Sequence, residues 1–148
     1  GVSSAASDVY KRQYLLDTNT FSDARRGIGA GIAARTWMES GEPEALHMSA
    51  ITDYELELGV LGLQRRDPRQ ARALRRWLDA LRLGLGSRIL PVSPQIARTC
   101  AALNVPDRRP WADALIAATA LHHGLTLVTR NTKDFEIPGL SVLNPFED

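Results

Sequence analysis

Four acidic residues stand where acids are least expected. Asp113 lies within Trp111-Ala112-Asp113-Ala114-Leu115-Ile116-Ala117-Ala118-Thr119-Ala120-Leu121, a run otherwise almost free of polar atoms. A helix apolar on all sides is normally a buried helix, and a lone buried carboxylate costs several kcal/mol unless a partner compensates it. Asp17, Glu55 and Asp134 each border a similarly apolar segment. Four carboxylates aimed at one place would repel one another and raise some of their pKa values. A hard divalent cation removes that conflict, and an all-oxygen set suits Mg²⁺ or Mn²⁺ rather than zinc. Such a site can activate water and steady the entering and departing oxygens of a phosphodiester displacement.

Each acid also has a purely structural reading. Asp17 ends the run Leu15-Leu16, at the carboxyl end of a strand where open α/β sheets gather ligands, but it could equally cap a helix or a turn. In Ser49-Ala50-Ile51-Thr52-Asp53-Tyr54-Glu55-Leu56-Glu57-Leu58-Gly59-Val60, a helical period puts Glu55 on one face with Ile51, Leu58, Gly59 and Gly62. Asp53 and Glu57 fall opposite, so Glu55 is expected to face packed neighbours and the other two to face solvent. Gly59 and Gly62 would permit close backbone approach on that face. Asp113 follows Pro110 in a first helical turn, where the helix dipole favours a negative charge in any case. Asp134 sits in Thr129-Arg130-Asn131-Thr132-Lys133-Asp134-Phe135, a loop expected after another strand. There Thr129 and Asn131 could support the site or merely cap the loop.

The elements that must position these acids read as alternating strands and helices. Tyr14 to Leu16 is a first strand, Gly31 to Ser40 a helix, and Ala45 to Ser49 a second strand. Ile51 to Gln64 reads as a helix, and Asp67-Pro68 starts another that runs to about Leu83, before Gly84 and Gly86. Arg88 to Val92 is a short strand, and Ser93-Pro94 opens the helix that carries Ile96, Cys100 and Leu103. Pro110 suits the first turn of the apolar helix, Gly124 its end. Leu125 to Thr129 and Ser141 to Leu143 complete the strands. The alternation predicts one α/β domain with a mainly parallel central sheet flanked by helices.

Composition narrows the classes further. The chain has 148 residues, 44% hydrophobic and 24% charged, which suits a single globular domain. Residues Gly1 to Gln13 show neither period and are expected to be an extension outside a domain spanning residues 14 to 148. Without Asp8, Lys11 and Arg12 the domain holds 16 basic and 16 acidic residues, so any affinity for nucleic acid must come from local patches. Arg65, Arg69, Arg72 and Arg76 make one stripe on a helix, by default a solvated face and otherwise a contact for RNA phosphates or a partner. No apolar stretch is long enough to span a bilayer. Cys100, the single cysteine, falls on an apolar stripe and reads as a small core residue, in keeping with a reducing, cytoplasmic setting. His47, His122 and His123 lack metal-ligand spacing, and the pair before Gly124 fits a helix C-terminus. There is no Walker loop and no Gly-x-Gly-x-x-Gly motif.

With those segments in place, the chain resembles the PIN-domain ribonuclease toxins of bacterial toxin–antitoxin modules, the VapC/FitB type. The matching pieces are Leu-Leu-Asp17-Thr-Asn, Ser-Ala-Ile-Thr-Asp-Tyr-Glu55-Leu-Glu-Leu-Gly, Arg-Ile-Leu-Pro, Trp-Ala-Asp113-Ala-Leu-Ile-Ala-Ala-Thr-Ala, Leu-Val-Thr-Arg-Asn131-Thr-Lys-Asp134-Phe and the closing Leu-Asn-Pro-Phe-Glu-Asp. The resemblance implies a PIN-like three-layer fold and Mg²⁺- or Mn²⁺-dependent cleavage of single-stranded RNA by a metal-activated water. Asp17 and Asp113 match the family's central metal ligands, and Glu55 the acid that completes the set. The fourth acid stands at Asn131 or Asp134 in different members, and here it falls to Asp134. Thr18, Thr129 and Asn131 take supporting places. The family further implies a homodimer, inhibition by a cognate antitoxin, and operator DNA bound only through that antitoxin. Two rivals remain from the residues alone: a phosphoacceptor signalling module, which wants paired acids after the first strand where Asp17 stands alone, and a PIN-like binding protein without activity.

Overall fold

The computed structural model describes residues 12–147. Five strands and six helices alternate along it. They are β1 (Tyr14–Leu16), α1 (Thr18–Arg26), α2 (Gly31–Ser40), β2 (Leu46–Ser49), α3 (Ala50–Arg66), α4 (Pro68–Leu85), β3 (Ile89–Leu90), α5 (Pro94–Leu103), α6 (Trp111–His123), β4 (Thr126–Val128) and β5 (Val142–Leu143). Short 3-10 turns cover Pro43–Ala45, Gly86–Arg88 and Thr132–Phe135.

All strand pairs are parallel, in the order β3-β2-β1-β4-β5. The chain lays β2 and β3 on one side of β1, then crosses to place β4 and β5 on the other. That reversal puts a crevice at the carboxyl ends of β1 and β4, where side chains from both following loops can meet. The register sets Leu16 beside Val128, so Asp17 and Thr129 leave the sheet at the same level.

Alternation along β1 and β4 sends neighbouring residues to opposite faces. Leu15 and Leu127 pack with Ile116, Ala117 and Ala120 of α6 on one face. Leu16 and Val128 pack with Phe21 of α1, Leu56 and Val60 of α3 and Leu78 of α4 on the other. Ala114, Ala117, Ala118 and Ala120 of α6 are fully buried, which lets this helix sit close against the sheet. Its one buried hydroxyl, Thr119, donates to the Leu115 carbonyl at 2.7 Å and so satisfies itself within the helix. Gly124 ends α6 in the left-handed region at φ 66°. At Gly31 a side chain would collide with the backbone carbonyl of Asp23, so the α1–α2 corner needs glycine.

Strand and helix positions follow the sequence reading, with three differences. Helix α1 has no counterpart among the expected elements, because Thr18-Asn19-Thr20-Phe21-Ser22-Asp23 has little helical propensity. It forms because Asp17 caps it and Phe21 and Ala24 are buried. Pro110 is the N-cap of α6 rather than its first-turn residue. Within the expected extension, residues 1–11 lie outside the described residues, while the Gln13 carbonyl already accepts from Thr126 N–H at 3.0 Å beside β4. Among the described residues no helix is long and apolar enough to cross a membrane.

Candidate active site

Asp17 is the anchor of the crevice. It is 7% exposed and serves as N-cap of α1. Its Oδ1 accepts from Thr20 N–H at 2.9 Å and from the Thr20 hydroxyl at 2.7 Å. Its Oδ2 accepts from the Thr129 hydroxyl at 2.6 Å. Each carboxylate oxygen offers two lone-pair directions, so a single direction on Oδ2 stays open. The structural and functional readings of Asp17 are therefore compatible, because capping uses one oxygen and leaves part of the other.

Glu55 approaches from α3. The Thr18 hydroxyl donates to Glu55 Oε1 at 2.5 Å, the length of a charge-assisted bond, and also lies 3.1 Å from the Thr52 hydroxyl. The residue after Asp17 thus holds Glu55 toward the same crevice. The face expected for Glu55 is not the packed one: Leu58 is 54% exposed and Gly59 is exposed, while Thr52, Leu56 and Val60 are buried. Gly59 and Gly62 face open space and serve no close approach. Asp53 and Glu57 are not solvated acids either. Arg75 grips Glu57 at 2.6 and 2.7 Å, and Arg82 joins Asp53 at 2.6 Å and Glu57 at 2.9 Å. These bonds hold Glu57 at a pKa of about 2, first through Arg75, against the opposing effect of burial. Helical periodicity within α3 has no means of showing that α4 brings two arginines alongside.

Asp113, in the first turn of α6, is half-buried and enters no ion pair among the described residues. Burial pushes its pKa up, and the charges of Asp134, Asp17 and Glu55 push it further in the same direction. The four acids therefore share one electrostatic neighbourhood, although they come from four separate segments. Asp134 stands in the turn after β4 and is itself exposed. Asn131 N–H donates to the Thr129 hydroxyl at 3.1 Å, and the Asn131 carbonyl accepts from Asp134 N–H at 3.1 Å. Asn131 so ties the residue that steadies Asp17 to the turn that carries Asp134.

Among the described residues no three His, Cys, Asp or Glu groups converge tightly enough to form a ready-made ligand shell. The donors present still suit a hard cation. They are all oxygens, Asp17 keeps an open direction, and Asp113 carries an uncompensated charge. Mg²⁺ in particular is held through one or two carboxylates and keeps several waters.

Thr20 and Thr52, both fully buried, are site residues that sequence reasoning missed. Thr20 could have been found as the third residue after an N-cap Asp, and Thr52 as a buried polar residue one turn before Glu55. Other expectations fall elsewhere. The expected stripe of Arg65, Arg69, Arg72 and Arg76 does not lie on one helix, because Asp67 interrupts the helix between them. Arg65 is in the last turn of α3 and the other three are on α4, all four exposed and unpaired among the described residues. Cys100 is half-buried with its thiol pKa raised by burial. His122 and His123 stack edge to face in the last turn of α6, and burial, then His122 and His47, lowers the His123 pKa.

The chain has counterparts among known proteins. The family model described as PIN domain matches residues 14–138. The chain belongs to the PIN-domain family. A curated relative of this PIN domain, the VapC ribonuclease Y4jK of Sinorhizobium fredii, is 34% identical over 141 residues, covering 90% of this chain and 97% of that protein. The crystal structure of FitAcB from Neisseria gonorrhoeae superposes with a TM-score of 0.80 at 33% identity, covering 90% of this chain and 99% of that one. A toxin-antitoxin complex from Klebsiella pneumoniae matches at a TM-score of 0.66 and 33% identity, over 92% of this chain and 100% of that one.

Proposed function

We propose that this PIN domain is a metal-dependent endoribonuclease toxin that hydrolyses phosphodiester bonds in single-stranded RNA. The observation that carries this reading is Asp113: a half-buried carboxylate without an ion-pair partner among the described residues, whose pKa is raised by burial and by three further acids of the same crevice. Folding does not favour such an arrangement by itself, whereas a divalent cation would offset it. A relative 34% identical to this chain is named a ribonuclease, which points the chemistry at RNA. Family membership favours this reading over a phosphoacceptor signalling module.

Asp17, Asp113 and Glu55 would hold Mg²⁺ or Mn²⁺, with Asp134 at the rim as the fourth acid. When bound, the cation supplies Lewis-acid activation of a water and of the scissile phosphate. The chain's own residues do the positioning. Thr20 and Thr129 fix the Asp17 carboxylate, leaving one Oδ2 direction toward the crevice. Thr18 fixes Glu55. Asp134, exposed at the rim beside Asp113, is the acid left to accept a proton as the reaction proceeds. A cognate antitoxin is the proposed inhibitor, in line with the toxin-antitoxin complex that this fold matches. Contact with operator DNA would run through that antitoxin, and the working form would be a homodimer in the cytoplasm.

Cleavage of a labelled single-stranded RNA tests the reading. The parent should cut it with Mg²⁺ or Mn²⁺ and stop with EDTA, and Glu55→Gln or Asp113→Asn should each cost at least about a hundredfold in rate. An Asp113→Asn protein that cuts at the parent's rate would refute the site.

A further inference from the structure

Beside the acids lies a cavity of about 340 Å³ whose walls include Arg108, Arg109, Asp113, Lys133, Asp134 and Phe135. Neither Asp17 nor Glu55 lines it, but Asp113 does, and Asp113 lies within the field of both. Its charges are mixed but unmatched. Arg108 and Lys133 are exposed and enter no ion pair among the described residues, although Asp113 and Asp134 line the same space.

Arg109 has a different part. Its Nε donates to the Leu103 carbonyl at 3.1 Å, its Nη1 to the Asp134 carbonyl at 3.4 Å, and its N–H to Asn104 Oδ1 at 2.9 Å. It thereby ties the 104–110 loop to the turn carrying Lys133 and Asp134, and sets the distance between the two loops. Arg108 and Lys133 are left on opposite loops as the cavity's available cations.

A wall meant only to hold a metal ion would be weakened by two cations, and a wall meant only for stability would pair them with the acids. A phosphodiester strand needs both, because the acids serve a cation while the arginine and lysine serve phosphate oxygens. Residues 14–148 hold equal numbers of acidic and basic residues, so attraction for a polyanion has to be local. We propose that this cavity is a subsite for single-stranded RNA, in which Arg108 and Lys133 bind the phosphate neighbouring the scissile one. The inference rests on the nuclease reading and adds where the strand runs: from the Asp17 crevice across α6 toward the 104–110 loop.

The experiment is fluorescence anisotropy of an end-labelled single-stranded oligoribonucleotide with the full chain in EDTA, which reads binding without cleavage. Arg108→Ala/Lys133→Ala should weaken binding about tenfold, since exposed charge contacts each contribute up to about fivefold. The slope of log affinity against log salt should become shallower by about 0.7 for each phosphate that is no longer neutralised. Arg69→Ala/Arg72→Ala removes the same charge from the outer face of α4 and should bind within about twofold of the parent. Unchanged binding by the first double variant overturns the proposal, and so does equal weakening by the second, which would make the effect one of net charge. If RNA affinity holds but the Arg108/Lys133 variant loses a co-purified protein partner, the cations serve protein docking and the subsite falls. Cleavage with Mn²⁺ is read separately, where KM should rise more than kcat falls. Should every version, the parent included, fail to cleave while the binding difference persists, the nuclease reading fails and the RNA subsite stands.

Discussion

Replacing Asp113 by Asn should remove activity and at the same time raise the melting temperature of the metal-free protein. Two effects oppose each other at this position. Asp113 lies in the first turn of α6, and a charge there gains about 0.3–1 kcal/mol from the helix dipole. Burial and the like charges of Asp134, Asp17 and Glu55 act against it, and the raised pKa shows that they win. A carboxyl whose folded pKa lies above its unfolded value favours the folded state at low pH. That contribution is lost as pH rises through the folded pKa. At neutral pH the ionised Asp113 is therefore a cost that the isosteric amide does not carry.

Relief of a misplaced charge commonly stabilises by about 0.5–2 kcal/mol, and the lost dipole interaction lowers the expected gain to about 0.5–1 kcal/mol. For a domain of this size that is about 1–4 °C. Thermal melts of both proteins in EDTA, from acid to neutral pH, measure it. The difference should vanish below the ordinary aspartate pKa of 3.8 and grow above it. Adding Mn²⁺ should raise the parent's melting temperature more than the variant's, because only the parent keeps the carboxylate. An Asp113→Asn protein that melts lower than the parent in EDTA at neutral pH would mean that Asp113 is compensated within the fold, and the argument for a cation would fail with it.

Two further outcomes follow from the hydrogen bonds. Glu57→Gln should cost about 1–2 kcal/mol at neutral pH, discounted for partial exposure, since it breaks the clasp of Arg75 and Arg82 that joins α3 to α4. Glu57 has a depressed folded pKa, so its contribution is present above the unfolded value of 4.5 and fades toward about 2. Urea titrations of parent and variant should converge over that window, and a constant gap would contradict the assignment. Thr18→Val should free Glu55 and weaken Mn²⁺ binding by about 10–100-fold in calorimetry, with Thr18→Ser close to the parent. Equal binding by all three would show that Glu55 needs no such support.

The sequence itself determined the alternation of elements and the oddity of Asp113. Apolar runs at Tyr14–Leu16 and Thr126–Val128, each followed by a polar oxygen residue, already announced strands that end at a site. Local chemistry is enough for this, because period, caps and breakers act over a few residues. It also supplied Asp17, Glu55 and Asp134 as candidates, since each ends or interrupts an apolar run.

Relations between segments far apart in the chain emerge only on folding. Asp53 and Glu57 read as solvent-facing until α4 is folded alongside with Arg75 and Arg82. Helix α1 depends on burying Phe21 rather than on propensity. The hold of Thr129 on Asp17 spans 112 residues and follows from β4 lying next to β1. The cavity between Arg108 and Lys133 exists because Arg109 ties two loops together through backbone carbonyls. Local pattern records what one segment prefers, whereas charge pairing and burial depend on which segments become neighbours, and that is settled only when the sheet order is formed.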